Sequence, residues 1–488
     1  MNEVRFSILV HAIDTDVSYF RKTLESISAL EYMNFEAFVL DSNPVSIIPA
    51  LIEEVMPRDG RITYKKLSRT MRTSEAYNIG LRLIGGDYCL FLGQYDTISP
   101  FLLQRIEEKC VSSLIPENRE LDFDDLTKAA SGNRLRQWKV SACDLIYTDF
   151  DEVRDGLRQN PHFLGGFSPE RLVQSYYFDQ AFVVSMTLLR KVGFMNEDLK
   201  YGELYEYLLR ILEVYRHCSD PRHPSHNFDV GHIEGLLYHK CFRKEEEDNK
   251  KVLLKERYEI LRGISEKYIA RNKIAARLVS DHSKIHWKWE RRGSEYIERK
   301  NDYILLKDKD IKVSNQNKAL DRMYGHLKQW DVAVVGARFI HGNKILNCGY
   351  IYDEEGILFP ACAGQSVYSK GYEDRICLAQ DVSVVDPGFC MLDEKVFRKL
   401  GGFRKGLLGR DAMLDYCLRA RAAGYRVIYE PGVKVHRNYS TPESSKQSHD
   451  NLLKYYGEEG SSEKVRFANS DEFYNTNLPM GVSNYYLY

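Results

Sequence analysis

Short unbroken apolar runs alternate with stretches of helical spacing through the first third of the chain. Phe6-Ser7-Ile8-Leu9-Val10 predicts a buried strand, and the spacing from Tyr19 to Leu30 predicts a helix after it. "FEAFVLDSN" predicts a second strand that ends on Asp41-Ser42-Asn43. A helix over Thr73 to Leu83 then leads to a third strand, Asp87 to Leu92. Strands that are apolar throughout, with helices between them, imply a parallel sheet covered on both faces. Ligands of such sheets sit beyond the carboxyl ends of the strands, where Asp41 and the stretch Gly93 to Asp96 fall.

The alternation continues with strands at "CDLIYTD" and Ala181 to Val184, a helix closing near Gly193, and a second helix, "GELYEYLLRILEVY". "HIEGLLYHK" reads as a terminal strand with His239 at its end. Residues 244–280 are highly charged, with Leu253, Tyr258, Leu261, Ile264 and Tyr268 at helical spacing, which predicts a helical spacer. A second α/β unit follows. Its opening strand, Ile304-Leu305-Leu306, runs into Lys307-Asp308-Lys309-Asp310. A helix over Leu320 to Lys328 and a strand at Val332 to Val335 come next. "DVSVVDPGFCMLDEKVFRKLGGF" reads as strand, turn and helix, and "GRDAMLDYCLRARAAGYRVIYEPGVKVHRN" as helix, strand and histidine. Both halves share the order acidic loop, GF turn, helix with "LR", strand, histidine, which points to an internal duplication. The expected organisation is a module at 1–243, a spacer at 244–285, a module at 286–460 and a tail at 461–488 draped over a surface.

Composition narrows the class. Of 488 residues, 43% are hydrophobic and 28% charged, the mix of a globular protein with more than one core. A formal net charge of -1, with both signs interspersed, argues against nucleic acid as a partner. No apolar run is long enough to span a bilayer, and the N-terminal run is flanked by acids, unlike a secretory signal. Ten cysteines without a CxxC pair predict free thiols in a reducing compartment.

Asp308-x-Asp310 carries two carboxylates past the end of a strand, the donor type that Mg²⁺ or Mn²⁺ takes together with substrate phosphates. A charged surface turn has the same spacing. His436 ends a strand in the same half and is able to complete a metal shell or meet a diphosphate; a hydrogen-bonded surface histidine is the alternative. Asp411 and Asp415 lie one turn apart on one helix face. Either is a candidate general base for an acceptor hydroxyl, or a solvated charge. Asp41 is placed to accept from a base or a ribose, or to close a strand-to-loop turn. Trp287 and Trp289 are candidates for a sugar-facing or inter-module surface, with core packing as the alternative. No dinucleotide fingerprint or P-loop follows the first strand, and there is no GxSxG or HExxH.

Taken together these segments resemble the inverting family 2 glycosyltransferases of the GT-A fold. "FSILVHAIDTDVSYFRKTLESISALEYMNFEAFVLDSN" and "SEAYNIGLRLIGGDYCLFLGQYDTISP" resemble the opening of the family's module. "DVAVVGARFIHGNKILNCGYIYDEEG", "VFRKLGGF", "LDYCLRARAAGYRVIYEPGVKVHRN" and "DEFYNTNLP" resemble the second module of tandem bacterial polysaccharide enzymes. The resemblance implies two GT-A-like, Rossmann-like, mostly parallel modules joined by a helical spacer. It implies a nucleotide-sugar donor, a glycan or glycoconjugate acceptor and Mg²⁺ or Mn²⁺, with peripheral contact at the inner face of a membrane. By motif position it implies Asp41 and Asp96 at the nucleotide, Asp308, Asp310 and His436 at the metal, and Asp411 or Asp415 as base.

The sequence departs from the family in both halves. Gly93 and Tyr95 stand at the metal-binding positions of the first module, and its base position falls on Leu204, between Glu203 and Glu206. In the second module the base position falls on Met413, and too little chain precedes Asn301 to form the nucleotide-binding half. A catalytically inactive scaffold that binds a partner transferase or a glycan is therefore the competing expectation.

Overall fold

A computed structural model describes residues 4–112, 143–218, 229–243, 250–280, 285–289, 302–438, 444–456 and 471–478. The chain divides into two compact units: Met1–Leu164 with Phe178–Ile264, and Gly165–Tyr177 with Ser265–Tyr488. The first unit therefore sends a short segment of its chain into the second.

Unit 1 opens with β1 (Phe6–Ala12), α1 (Val17–Ser28), β2 (Phe35–Asp41), α2 (Ile48–Val55), β3 (Ile62–Lys66), α3 (Thr73–Leu81), β4 (Tyr88–Leu92), β5 (Thr97–Ile98) and α4 (Leu102–Ser112). All of β1 and β4 is buried, which is why both read as unbroken apolar runs. α1 starts where the Asp16 carboxylate accepts from the amides of Ser18 and Tyr19, and it buries Phe20, Leu24 and Ile27 at helical spacing. β6 (Leu145–Arg154) and β7 (Leu157–His162) form a hairpin. Next come α5 (Pro169–Gln174), which belongs to unit 2, and β8 (Phe182–Ser185), α6 (Met186–Val192), α7 (Glu203–Cys218) and β9 (Val230–Phe242).

The sheet of unit 1 runs β3-β2-β1-β4-β8-β6-β9-β5, with β7 on β6. Strands β3, β2, β1 and β4 are parallel. β8 is antiparallel to both of its neighbours, and β5 to β9. The mostly parallel expectation thus holds for one half of the sheet, and the whole is mixed. Apolar runs report burial and carry no direction, so the reversal at β8 left no mark in the pattern.

α8 (Lys250–Arg271) leads into unit 2, where β10 (Ala276–Ser280), inside the stretch expected to be spacer, pairs as a hairpin with β11 (Ile285–Trp289), which runs past its end. The side chains of Trp287 and Trp289 lie outside the described residues. The main sheet is built from β12 (Tyr303–Lys307), β13 (Lys312–Val313), β14 (Val332–His341), β15 (Lys344–Asn347), β18 (Gln380–Asp381), β19 (Phe389–Asp393) and β20 (Arg426–His436). β16 (Tyr350–Tyr352) and β17 (Leu358–Pro360) form a small separate hairpin. The helices are α9 (Gln316–Leu327), α10 (Glu394–Lys399), α11 (Gly409–Ala422) and α12 (Lys446–Tyr456). Tyr416 and Leu418 of α11 pack on one face of the sheet with Val334 and Leu392, while Leu320 and Met323 of α9 pack on the other with Val335 and Phe339. From the tail, Asp471 is buried and accepts from the Tyr352 amide at 3.2 Å, a docked contact where a surface drape was expected.

The strand order β12-β19-β14-β20-β13 repeats β4-β8-β6-β9-β5, including the antiparallel strand in second place. The register makes the match residue by residue. Tyr88 faces Ser185 and Tyr303 faces Asp393, and each of those partners caps the next helix by accepting an amide N–H. Thr97 faces His239 as Lys312 faces His436. Counting from these anchors sets Gly93 and Tyr95 against Asp308 and Asp310. Counterparts of β1, β2 and β3 do not occur in unit 2 among the described residues, and β12 is the edge strand there.

One polar device is also duplicated. Arg210 pairs with Glu206 one turn earlier and donates to the carbonyls of Val192 and Phe194 at 3.2 and 2.8 Å. Arg419 pairs with Asp415 and donates to the carbonyls of Leu400 and Gly402 at 2.6 and 2.7 Å. In both units the guanidinium ties the long helix to the turn that ends the preceding short one. Arg419→Ala leaves the buried Asp415 carboxylate short of a partner and both carbonyls bare. We expect it to cost about 3 kcal/mol, with Arg419→Lys recovering little because a point ammonium cannot span both carbonyls. Urea unfolding of the full chain measures this.

Candidate functional site

The carboxyl edge of β1, β2 and β3 gathers His11, Asp41, Ser42, Asn43 and Lys66. Asp41 is fully buried. One carboxylate oxygen accepts from the amide and the side chain of Asn43 at 2.9 and 2.8 Å; the other accepts from the Tyr64 hydroxyl at 2.7 Å and faces Lys66 Nζ at 3.4 Å. Burial pushes its pKa up, but the hydrogen bonds of Ser46, Tyr64 and Asn43 outweigh that and hold it below the usual value. Asp41 is therefore an ionised organiser that fixes the Ser42–Asn43 turn and draws Lys66 to the edge. His11 Nε2 lies 2.8 Å from Ser42 Oγ and Nδ1 lies 3.3 Å from Thr73 Oγ1. Burial lowers its pKa to about 4 against the fields of Asp41 and Glu75, so the imidazole is neutral at pH 7.

The loop after β4 turns inward. Asp96 is buried, with one oxygen accepting from the Tyr238 hydroxyl at 2.6 Å and the other from the Cys241 amide at 2.9 Å. A Cβ added at Gly93 would lie 2.3 Å from the Asp96 carboxylate, so this group fills the space that an acid at position 93 would need. Gln94 Oε1 accepts from the Ile13 amide at 3.1 Å, and the Tyr95 hydroxyl accepts from the Asp16 amide at 3.0 Å. These bonds fasten the β1–α1 loop directly to the acidic loop.

Burial raises the Asp96 carboxyl to about 6, although Lys240, Tyr238 and the Cys241 amide pull the other way. Its folded pKa lies above the unfolded value of about 3.9. The contribution is thus complete below about pH 4 and is lost as pH rises through 6. Relative to Asp96→Asn, the wild type should lose about 2–3 kcal/mol between pH 4 and pH 7.5, read from urea unfolding at the two pH values.

In unit 2 the acidic loop is neutralised from within. Arg437 is fully buried and donates to Asp308 at 2.8 Å and to Asp386 at 3.1 Å. Asp386, also fully buried, further accepts from Asn347, the Tyr350 hydroxyl and the Gly388 amide. Gly388 makes room for this pair, because a Cβ there would lie 1.6 Å from the Arg437 guanidinium. Asp310 is exposed in the turn. His436 is exposed on β20, with Nε2 3.0 Å from Ser314 Oγ. Among the described residues, no group of three or more His, Cys, Asp or Glu side chains gathers to hold a metal ion. Asp308 faces a guanidinium, Asp96 has both oxygens hydrogen-bonded, and Lys307, Lys309 and Lys312 flank the loop. As arranged, neither acidic loop fits Mg²⁺ or Mn²⁺.

The two candidate bases differ. Asp415 is buried and held by Arg419 at 2.7 Å, Arg404 at 3.2 Å and the Tyr456 hydroxyl at 2.8 Å, a structural set of partners. Asp411 is buried in the first turn of α11, and one of its oxygens has no hydrogen-bond partner among the described residues. Its other oxygen lies 3.9 Å from His449 Nδ1. In unit 1, Glu203 opens α7, and burial raises its carboxyl above the ordinary range. Arg437 was passed over in the sequence because its partners lie far along the chain and no local spacing marks the pair.

The half-sheet β3-β2-β1-β4 with its helices is the part of the chain that matches a known family. Residues 7–111 fit the family described as glycosyl transferase family 2, and the chain carries a family 2 glycosyltransferase domain. It is 26% identical over 235 residues to the O-antigen biosynthesis protein RfbC of Myxococcus xanthus, covering 48% of this chain and 15% of that protein. It is 19% identical over 524 residues to the uncharacterized protein y4gI of Sinorhizobium fredii, covering 91% of this chain and 54% of that one. The chain thus spans 15% and 54% of the lengths of these two relatives. Among solved structures, S. aureus TarS in complex with UDP-GlcNAc matches with a TM-score of 0.36 and 15% identity, over 55% of this chain and 73% of that one. No described helix is long and apolar enough to cross a membrane.

Proposed function

We propose that the chain transfers a sugar from a nucleotide-sugar donor to a hydroxyl of a glycan or glycoconjugate, with inversion, and that unit 1 performs the transfer in a GT-A arrangement. One observation carries this reading: the parallel half-sheet with Asp41 at its carboxyl edge coincides with the matched family 2 segment. The main sheet of unit 2 has β12 as its edge strand and no such half among the described residues. The name of the M. xanthus relative, an O-antigen biosynthesis protein, supports a polysaccharide acceptor.

In this reading the donor's nucleotide lies beside Asn43 and Lys66, both set by Asp41. The acceptor oxygen attacks the anomeric carbon as the bond to the diphosphate breaks, and the bonding electrons leave with the diphosphate. Glu203 takes the acceptor's hydroxyl proton; its raised pKa suits a group that must hold a proton in the transition state. A divalent cation enters no step, because neither acidic loop is arranged to hold one.

The closed Asp96 and the neutralised Asp308 favour a second reading, an accessory subunit that binds but does not transfer. Turnover of UDP- and GDP-sugars by the purified chain separates the two. Donor-dependent product that falls at least about 100-fold in Glu203→Gln, with nucleotide binding retained, supports transfer. Binding without turnover in wild type assigns the accessory role.

A further inference from the structure

Three buried arginines of unit 2 face carboxylates: Arg426 has Asp331 and Asp381, Arg437 has Asp308 and Asp386, and Arg171 has Glu373. Arg338 pairs with no carboxylate among the described residues. It lies near the carboxyl end of β14 with only 7% of its surface exposed, and its Nε is buried without a hydrogen-bond partner among the described residues. Its neighbour in the parallel β20 register is another cation, Lys434. Burial lowers the Lys434 ammonium pKa, and the positive fields of Arg338 and Arg322 lower it further against an opposing pull from Cys377. Arg322 is committed to Glu430 at 3.0 Å, and Glu430 is shared with His326 at 2.9 Å. Neither carboxylate oxygen therefore turns to Arg338.

A buried guanidinium without an anion is costly, because its desolvation is repaid only by pairing and hydrogen bonds. Arg338 and Lys434 sit side by side near the carboxyl ends of two parallel strands, where α/β sheets take their ligands. A planar fork beside a point ammonium matches the oxygens of phosphate or carboxylate. Lys434 is exposed and opens the pair to solvent. We propose that Arg338 and Lys434 form an oxyanion-binding site in unit 2 that takes a phosphate or carboxylate group of the acceptor glycan. The identity of the anion's carrier rests on the transferase reading; the site itself does not.

The full-length chain is titrated with inorganic phosphate and with glucuronate at constant ionic strength in chloride, following heat and melting temperature. Binding of either anion, weakened by about tenfold or more in Arg338→Gln and severalfold in Lys434→Gln, supports the site. Tighter binding of phosphate than of glucuronate assigns the group as a phosphate, and the reverse order assigns it as a carboxylate. In anion-free buffer Arg338→Met should melt no lower than wild type, because it removes an uncompensated charge. Asp41→Asn should keep this anion binding even where it loses nucleotide, so failure of the donor reading leaves a separate signal. Equal anion binding by wild type and Arg338→Gln, or a large drop in the melting temperature of Arg338→Met, overturns the proposal. The second result would mean that the charge is already paired inside the protein, for example by the Cys348 thiolate. Hydrogen bonds from Cys362 and Tyr429 and the field of Arg338 favour that thiolate against burial.

Discussion

Asp41→Ala should weaken UDP or GDP binding about 50-fold, equivalent to roughly 2–3 kcal/mol, as measured by titration calorimetry. The carboxylate gathers the amide and side chain of Asn43, the Tyr64 hydroxyl, the Lys66 ammonium and the Ser46 hydroxyl. Removing it frees the turn that shapes the carboxyl edge and releases the cation nearest to it. Asp41→Asn keeps the size and one acceptor oxygen but loses the charge that draws Lys66, so it should fall between wild type and Ala. Lys66→Ala tests the charge alone at a half-exposed side chain, with little expected effect on folding. Unchanged binding in all three variants would detach the nucleotide from this edge.

Arg437→Gln should cost about 3–5 kcal/mol of unit 2 stability, the usual result of stripping one partner from a buried ion pair. Asp386 has no exposure, and its remaining donors, Asn347, Tyr350 and the Gly388 amide, are neutral. Asp308 loses its cation at the same time. The double variant Arg437→Gln/Asp386→Asn should recover much of the loss, because a neutral amide pair leaves no buried charge unpaired. Chemical unfolding of the single and double variants gives the coupling directly. An additive result would show that Arg437 and Asp386 do not act as a pair.

The sequence disclosed burial and period well, and partners and direction poorly. β1, β4 and β14 show as apolar runs because both of their faces are covered, and α9 and α11 show through helical spacing. The duplication was legible from the order of motifs, and the register confirms it down to Tyr88 against Tyr303 and His239 against His436. The reversal of β8 and β19 was not legible, since direction comes from the path of the connections. Nor was the hairpin β10–β11, whose first strand lies at the end of a charged stretch that reads as helix. The candidate site divided in the same way. Asp41 was placed by its position after a strand, yet its partners Tyr64 and Lys66 come from β3. Asp308 carries the expected spacing, but its nearest charge is Arg437, at a sequence separation of 129. Asp415 reads in the sequence as a candidate base or a solvated charge, whereas the structure buries it against Arg419, which also donates to the Leu400 and Gly402 carbonyls.

The most direct measurement is a crystal structure of the full chain soaked with UDP or GDP and, separately, with a matching nucleotide-sugar. The account predicts nucleotide density at the carboxyl edge of β1, β2 and β3, against Asn43 and Lys66, with the sugar directed toward the head of α7 and Glu203. Density in unit 2 beside Asp308 instead, or a nucleotide held away from the Asp41 turn, would contradict it.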